Sequence, residues 1–179
     1  AQTLIASALL QTHAPADLQS AWLPRIAGGE AIVVLAHQER GARHHLDRCK
    51  AQAQEASGQW SVSGSKSIVP VGDQADAFIV PALAGGQMAL FLVERSAAGV
   101  QTEGYLTQDG ARAAELHLSN APARLITRSG QLALEEAADE VEEAVRVDVS
   151  LEKRAIRRRL VDVDLLDVDP LLVHRAEAV

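Results

Sequence analysis

The stretch from Trp60 to Val80, WSVSGSKSIVPVGDQADAFIV, constrains what this chain can fold into more than any other part of it. Trp60 and Val62 alternate with Ser61 and Ser63, the period of a half-buried strand. Gly64-Ser65-Lys66 reads as a bend, Ile68, Val69 and Val71 resume an apolar run, and Gly72-Asp73-Gln74 reads as a turn. Ala77 to Val80 is then a short strand with almost no polar residue. A strand without a polar face has to be covered on both sides, so its sheet is either packed between layers or closed on itself.

The surroundings carry the same β pattern from residue 31 to 127. Ala31 to Ala36 reads as a buried strand, Gln38 to Asp47 as a polar loop, and Lys50 to Gln54 as the start of a second strand. Ala56-Ser57-Gly58 has the composition of a hairpin turn before Trp60. Met88 to Val93 follows the Gly85-Gly86 turn, and Ala113 to Leu118 alternates. Several short strands punctuated by turns indicate a sandwich or barrel. Residues 1–30 read as helical: Leu4, Ile5, Ala8 and Leu9 share a face, and His13-Ala14-Pro15 breaks the first helix. Leu18, Trp22 and Ile26 recur four apart in a second helix, which Pro24 kinks or ends and Gly28-Gly29 stops. The expected fold class is therefore α+β, with N-terminal helices (1–30), an antiparallel β-barrel or sandwich (31–127) and an incomplete or atypical helical segment (128–179).

That last segment differs in character. All five aromatic residues lie between Trp22 and Tyr105, and no glycine follows Gly130. Leu132 to Val145 reads as an acidic helix. Beyond it, Val147-Asp148-Val149, Val161-Asp162-Val163-Asp164 and the Arg157-Arg158-Arg159 run fit no long amphipathic helix. Their Arg, Val, Asp and Leu richness is the composition expected of a GC-rich gene read out of frame, and the chain itself reads as a fragment.

Composition excludes some functions. A net charge of −7 argues against nucleic-acid binding, which needs a basic surface. The one cysteine, Cys49, permits no intramolecular disulfide and fits a reducing cytosol. No apolar run reaches the roughly 20 residues of a membrane-spanning helix. His37, His44, His45, Asp47 and Cys49 hold metal-ligating atoms, but their spacing matches no His/Cys ligand template. Gly58 to Lys66 lacks the Walker spacing and the helix that a phosphate loop needs.

Several phrases, in order, resemble the acyl-CoA dehydrogenases, flavoproteins that oxidise acyl-CoA thioesters at the α,β carbons. Trp22-Leu23-Pro24-Arg25-Ile26-Ala27-Gly28-Gly29-Glu30 is similar to the phrase with which that family closes its N-terminal helical domain. Ser63-Gly64-Ser65-Lys66 and Ile68-Val69-Pro70 stand where it has Asn-Gly-Thr-Lys and Trp-Ile-Thr. Glu94 to Val100 and Ala113 to Leu118 resemble two further strand phrases of its middle β-domain, and Gln131 to Glu135 the start of its C-terminal bundle. Gly104-Tyr105-Leu106-Thr107-Gln108-Asp109-Gly110 is similar to the branch of pimeloyl-CoA dehydrogenase small subunits.

The resemblance implies FAD as cofactor and an acyl-CoA as substrate. It also implies a cytoplasmic protein that forms a homo- or hetero-oligomer with another acyl-CoA dehydrogenase subunit. His37 to His45 sits where the family's Thr-Glu-Pro-x-Ala-Gly-Ser-Asp loop holds the flavin edge and pyrophosphate. Here Gln38 replaces the Thr, Glu39 keeps the Glu, Arg40 replaces the Pro and His44 the Ser. Gln38 retains an amide donor, and Arg43 or His44 suits a phosphate; the other reading of the loop is a solvated polar surface. Ile68, Val69 and Pro70 replace a Trp that packs on the flavin and a Thr that hydrogen-bonds it. Ile68 keeps an apolar cover, whereas Pro70 offers neither hydroxyl nor N–H. The candidate cofactor-binding residues are thus Gln38, Ile68, Val69 and Pro70. No catalytic residue is assigned, because the family's base lies in the C-terminal bundle and Glu39 and Glu115 have other counterparts. Departures at Gln38, Ile68 and Pro70 also fit a partner subunit without its own flavin.

Overall fold

The computed structural model describes residues 2–42, 45 and 47–139. Helix α1 (Gln2–His13) and helix α2 (Ala16–Ala27) open the chain. Pro15 separates them, and Gly29, at φ 71, ends the second in the left-handed conformation that glycine adopts without strain. Pro24 lies inside α2 and does not end it. Seven strands follow: β1 (Val33–Leu35), β2 (Gln52–Ala56), β3 (Gln59–Pro70), β4 (Ala77–Ala84), β5 (Gln87–Glu94), β6 (Val100–Leu106) and β7 (Arg112–Thr127). A third helix starts at residue 130 and is described to residue 139. The acidic helix expected at Leu132 is present there; its expected end at Val145 and all of 147–179 lie outside the described residues.

The strands close into a five-membered mixed barrel. β2 pairs with β3, β3 with β7, β7 with β5 and β5 with β4, all antiparallel, and β4 returns to β2 in parallel. One edge of β4 is divided: Ala77–Ile79 pairs in parallel with β1, and Leu83–Ala84 with β2. β6 lies outside the ring, antiparallel to β7. The β2–β3 hairpin turns on two residues, Ser57 (φ 53) and Gly58 (φ 77), the mirror-image turn that suits twisted strands.

The apolar strand Ala77 to Val80 is buried on both faces. Phe78 and Val80 point into the barrel with Val34, Val62, Val69, Phe91, Val93 and Leu116. Ala77 and Ile79 face the helical layer with Val33, Leu90, Leu92, Leu9, Leu10, Leu18, Trp22 and Leu134. Helices therefore cover one side of the barrel, including the C-terminal end of β7 at Ile126, whereas β3, the N-terminal half of β7 and β6 carry exposed residues on their outer face.

One local expectation is corrected. Gly64-Ser65-Lys66 does not bend the chain out of the sheet; β3 runs on for twelve residues. The irregularity is absorbed by two register shifts against β7, between Val62 and Gly64 and between Lys66 and Val69. Gly64, at φ 150, brings β3 against Ala51, where an added Cβ would lie 2.8 Å from the Ala51 Cα.

Candidate functional site

The register shift after Lys66 determines what the end of β3 presents. Lys66 points inward and is fully buried, and Val69 is inward again, so the extra residue between them turns Ile68 outward. Ile68 is half exposed at φ 52, and Val71 sits at φ 56. A left-handed backbone is costly for a β-branched residue, and such strain concentrates at functional sites.

Of the four residues singled out from the sequence, the fold brings Gln38 and Ile68 together. The loop after β1 runs beside β3, and the Ser67 N–H donates to the Gln38 carbonyl at 2.9 Å, which sets the half-buried Gln38 next to Ile68. Val69 is different: its side chain is 1% exposed inside the barrel. Pro70 ends β3 opposite Ala113, half-buried. Ile68 thus offers an exposed apolar side chain beside the main chain of Gln38, while Pro70 has no N–H to donate. In residue chemistry, an exposed apolar Ile68 and the amide-bearing Gln38 are compatible with the face and edge of a flavin ring.

Two groupings escaped the sequence reading. The first is a buried ion pair: Lys66 Nζ donates to Glu39 Oε1 at 2.7 Å, with both side chains almost wholly buried. Glu39 also accepts the N–H of Lys50 (2.8 Å) and of Ala51 (3.1 Å), and Cys49 Sγ lies 3.5 Å away. Burial pushes the Glu39 carboxyl up, but the Lys66 hydrogen bond and charge, with the two main-chain donors, outweigh it and hold the group below its ordinary value. Burial also raises the Cys49 thiol. The pair fastens the loop between β1 and β2 to the barrel, which is a structural duty. Its sequence signal is phase: Val62, Gly64 and Lys66 share the inward parity of β3, and an inward lysine requires a carboxylate.

The second grouping lies on the outer face. Tyr105 donates to Glu115 Oε1 at 3.2 Å, and Arg40 lies 3.5 Å from Glu115 Oε2. Two residues along β7, His117 Nδ1 meets Ser65 Oγ at 3.0 Å. Arg40, Glu115, Ser65 and His117, but not Tyr105, border a groove of about 320 Å³ between β3, β7 and the loop, lined also by Glu39, Lys50, Ala51, Gly64 and Ser67. His45 contacts Asp47 at 3.6 Å, and among the described residues no group of three potential metal ligands forms. Arg43 and His44, the candidate phosphate contacts, lie outside the described residues.

Two helices laid on one side of a closed five-strand mixed barrel define an α+β unit whose fold can be compared with those of known proteins. No family model matches the sequence, and no curated protein matches it. Solved structures do. A variant of the Tcur3481-Tcur3483 steroid ACAD aligns with TM-score 0.70 and 27% identity, over 76% of this chain and 37% of that one. The ChsE4-ChsE5 complex from Mycobacterium tuberculosis aligns with TM-score 0.68 and 24% identity, over 76% and 37%. A glutaryl-CoA dehydrogenase from Mycobacterium smegmatis in complex with FADH2 aligns with TM-score 0.68 and 21% identity, over 75% and 38%. The chain has the fold of an acyl-CoA dehydrogenase middle domain with its preceding helices, over about three quarters of its length. It spans less than two fifths of each of those proteins. No helix among the described residues is long and apolar enough to cross a membrane.

Proposed function

We propose that this chain is the β-domain portion of an acyl-CoA dehydrogenase-like flavoprotein. The whole protein removes a proton and a hydride from the α and β carbons of an acyl-CoA thioester. FAD, when bound, supplies the two-electron acceptor for that reaction. On this reading Gln38 holds the edge of the ring, and Ile68 covers its face. The main chain around Val69 and Pro70 shapes the seat, with no hydrogen bond from Pro70. The division at residues 30 and 127, an oligomeric assembly and a cytoplasmic setting belong to the same proposal. The observation that carries it is the everted, strained Ile68 beside Gln38, in a fold shared with a protein solved with FADH2. In the acyl-CoA dehydrogenases the base lies in the C-terminal bundle, of which no counterpart is recognised in this sequence, so residues 1–179 alone are expected to be inactive.

Visible absorbance of the purified full-length protein, followed by acyl-CoA turnover with an artificial electron acceptor, tests the proposal. Flavin bands and turnover that both require FAD are expected. A colourless protein that takes up no FAD, alone or with a co-expressed relative, overturns it.

A second reading is favoured by Pro70 and by the inward Val69, which together leave the ring seat short of donors. Here the chain is the non-catalytic member of a hetero-oligomeric dehydrogenase, in line with its likeness to the two-component ChsE4-ChsE5 complex. FAD then appears only in the co-purified partner, and a yellow homo-oligomer excludes this alternative.

A further inference from the structure

Ile68 is a small cover for a tricyclic ring, and the outer face of the barrel holds a larger apolar surface beside it. Tyr105 stands on β6, a third of its surface exposed, with its hydroxyl bound to Glu115 on β7 and facing the Ile68 main chain. Glu115, mostly buried, is gripped on its other oxygen by Arg40, two residues beyond Gln38. The contacts thus form a closed circuit: Ile68 adjoins Ser67, Ser67 bonds Gln38, the chain leads to Arg40, and Arg40 and Glu115 lead to Tyr105. A tyrosine fixed at its hydroxyl and still 37% exposed has already given up much of its rotamer freedom, so stacking on it costs little further ordering.

We propose that Tyr105 is the aromatic wall of the ring site begun by Gln38 and Ile68, a positioning residue held by Glu115 and Arg40; this deepens the flavin reading above and rests on it. Offset stacking on an aromatic face is the arrangement that a flat heteroaromatic ring favours, and it fixes the tilt of the ring against the barrel. Arg40, almost wholly exposed beyond the contact with Glu115, extends the polar edge on the Gln38 side.

The test uses the full-length protein, with its partner subunit if one co-purifies, loaded with FAD. An electron-rich phenol in contact with a flavin quenches its fluorescence, so emission per bound flavin reports contact independently of affinity. Tyr105→Leu is expected to raise emission severalfold and to weaken FAD retention about tenfold, the loss that follows removal of one stacking partner. Tyr105→Phe keeps the ring and loses the phenol, so emission rises while retention changes by less than about threefold. A purely structural role would alter retention without altering emission in the Phe variant, and the Phe variant keeps the test valid if the Leu variant does not fold. Bound flavin with unchanged emission in both variants overturns the assignment and leaves the flavin reading standing. A wild-type protein that binds no FAD overturns both.

Discussion

Replacing Lys66 by Met removes the cation from the buried pair and strands the Glu39 carboxylate. Lys66 has no exposed surface, and its Nζ sits 2.7 Å from Glu39 Oε1, so its loss leaves the carboxylate almost wholly buried without its cation. Breaking a buried pair by deleting one partner costs about 3–5 kcal/mol. Glu39 retains the Lys50 and Ala51 N–H groups, which places the expected loss near the lower end, about 3 kcal/mol. For a unit of this size that lowers the melting temperature by about 10 °C. Urea unfolding followed by tryptophan fluorescence is the assay, because Trp60 stands 5.2 Å from Phe91 and reports the barrel. The effect has a pH signature. In the wild type the folded Glu39 pKa lies below its unfolded value, so its contribution is complete above about pH 5 and is lost as pH falls through the folded pKa. In Lys66→Met, burial is left without its main opponent and raises the carboxyl, so protonation in acid relieves the penalty. The gap between wild type and variant therefore narrows toward about pH 4. A loss below about 1 kcal/mol near neutral pH, or one that does not shrink in acid, refutes the reasoning.

Further expectations concern backbone and packing. Glu39→Gln combined with Lys66→Met is expected to be less damaging than Lys66→Met alone by about 1–2 kcal/mol in the same unfolding assay, because no charge is then left buried. Gly64→Ala drives a Cβ to 2.8 Å from Ala51 and is expected to cost about 1–3 kcal/mol, measured by thermal unfolding. Ile68→Gly relieves a left-handed β-branched residue and is expected to stabilise the apoprotein by about 1 kcal/mol while weakening FAD retention, a split that unfolding and equilibrium dialysis read separately.

Much of the architecture was legible in the residues. The apolar run Ala77 to Val80 demanded cover on both faces, and it lies between the barrel interior and the helices. Ser57-Gly58 specified a tight hairpin by composition. What could not be read were effects of register. Lys66 looks like a bend residue beside Gly64, and only the inward parity it shares with Val62 reveals a buried cation. Its partner Glu39 is 27 residues away in a polar loop, where nothing local distinguishes a buried carboxylate from a solvated one. The parallel pairings of β4 with β1 and β2 are equally non-local. Among the candidate cofactor contacts, the resemblance suggested Ile68, Val69 and Pro70 as a unit, whereas the register shift separates an outward Ile68 from an inward Val69. Tyr105 joins that surface across two strands through Glu115, a link with no signature along the chain.

The most direct measurement is a crystal structure of the full-length protein grown with FAD. Isoalloxazine density is expected on the outer face at the end of β3, against Ile68, with Gln38 at its edge. Ring density elsewhere on the chain, or an Ile68 turned into the barrel with β3 unbroken after Lys66, would contradict it.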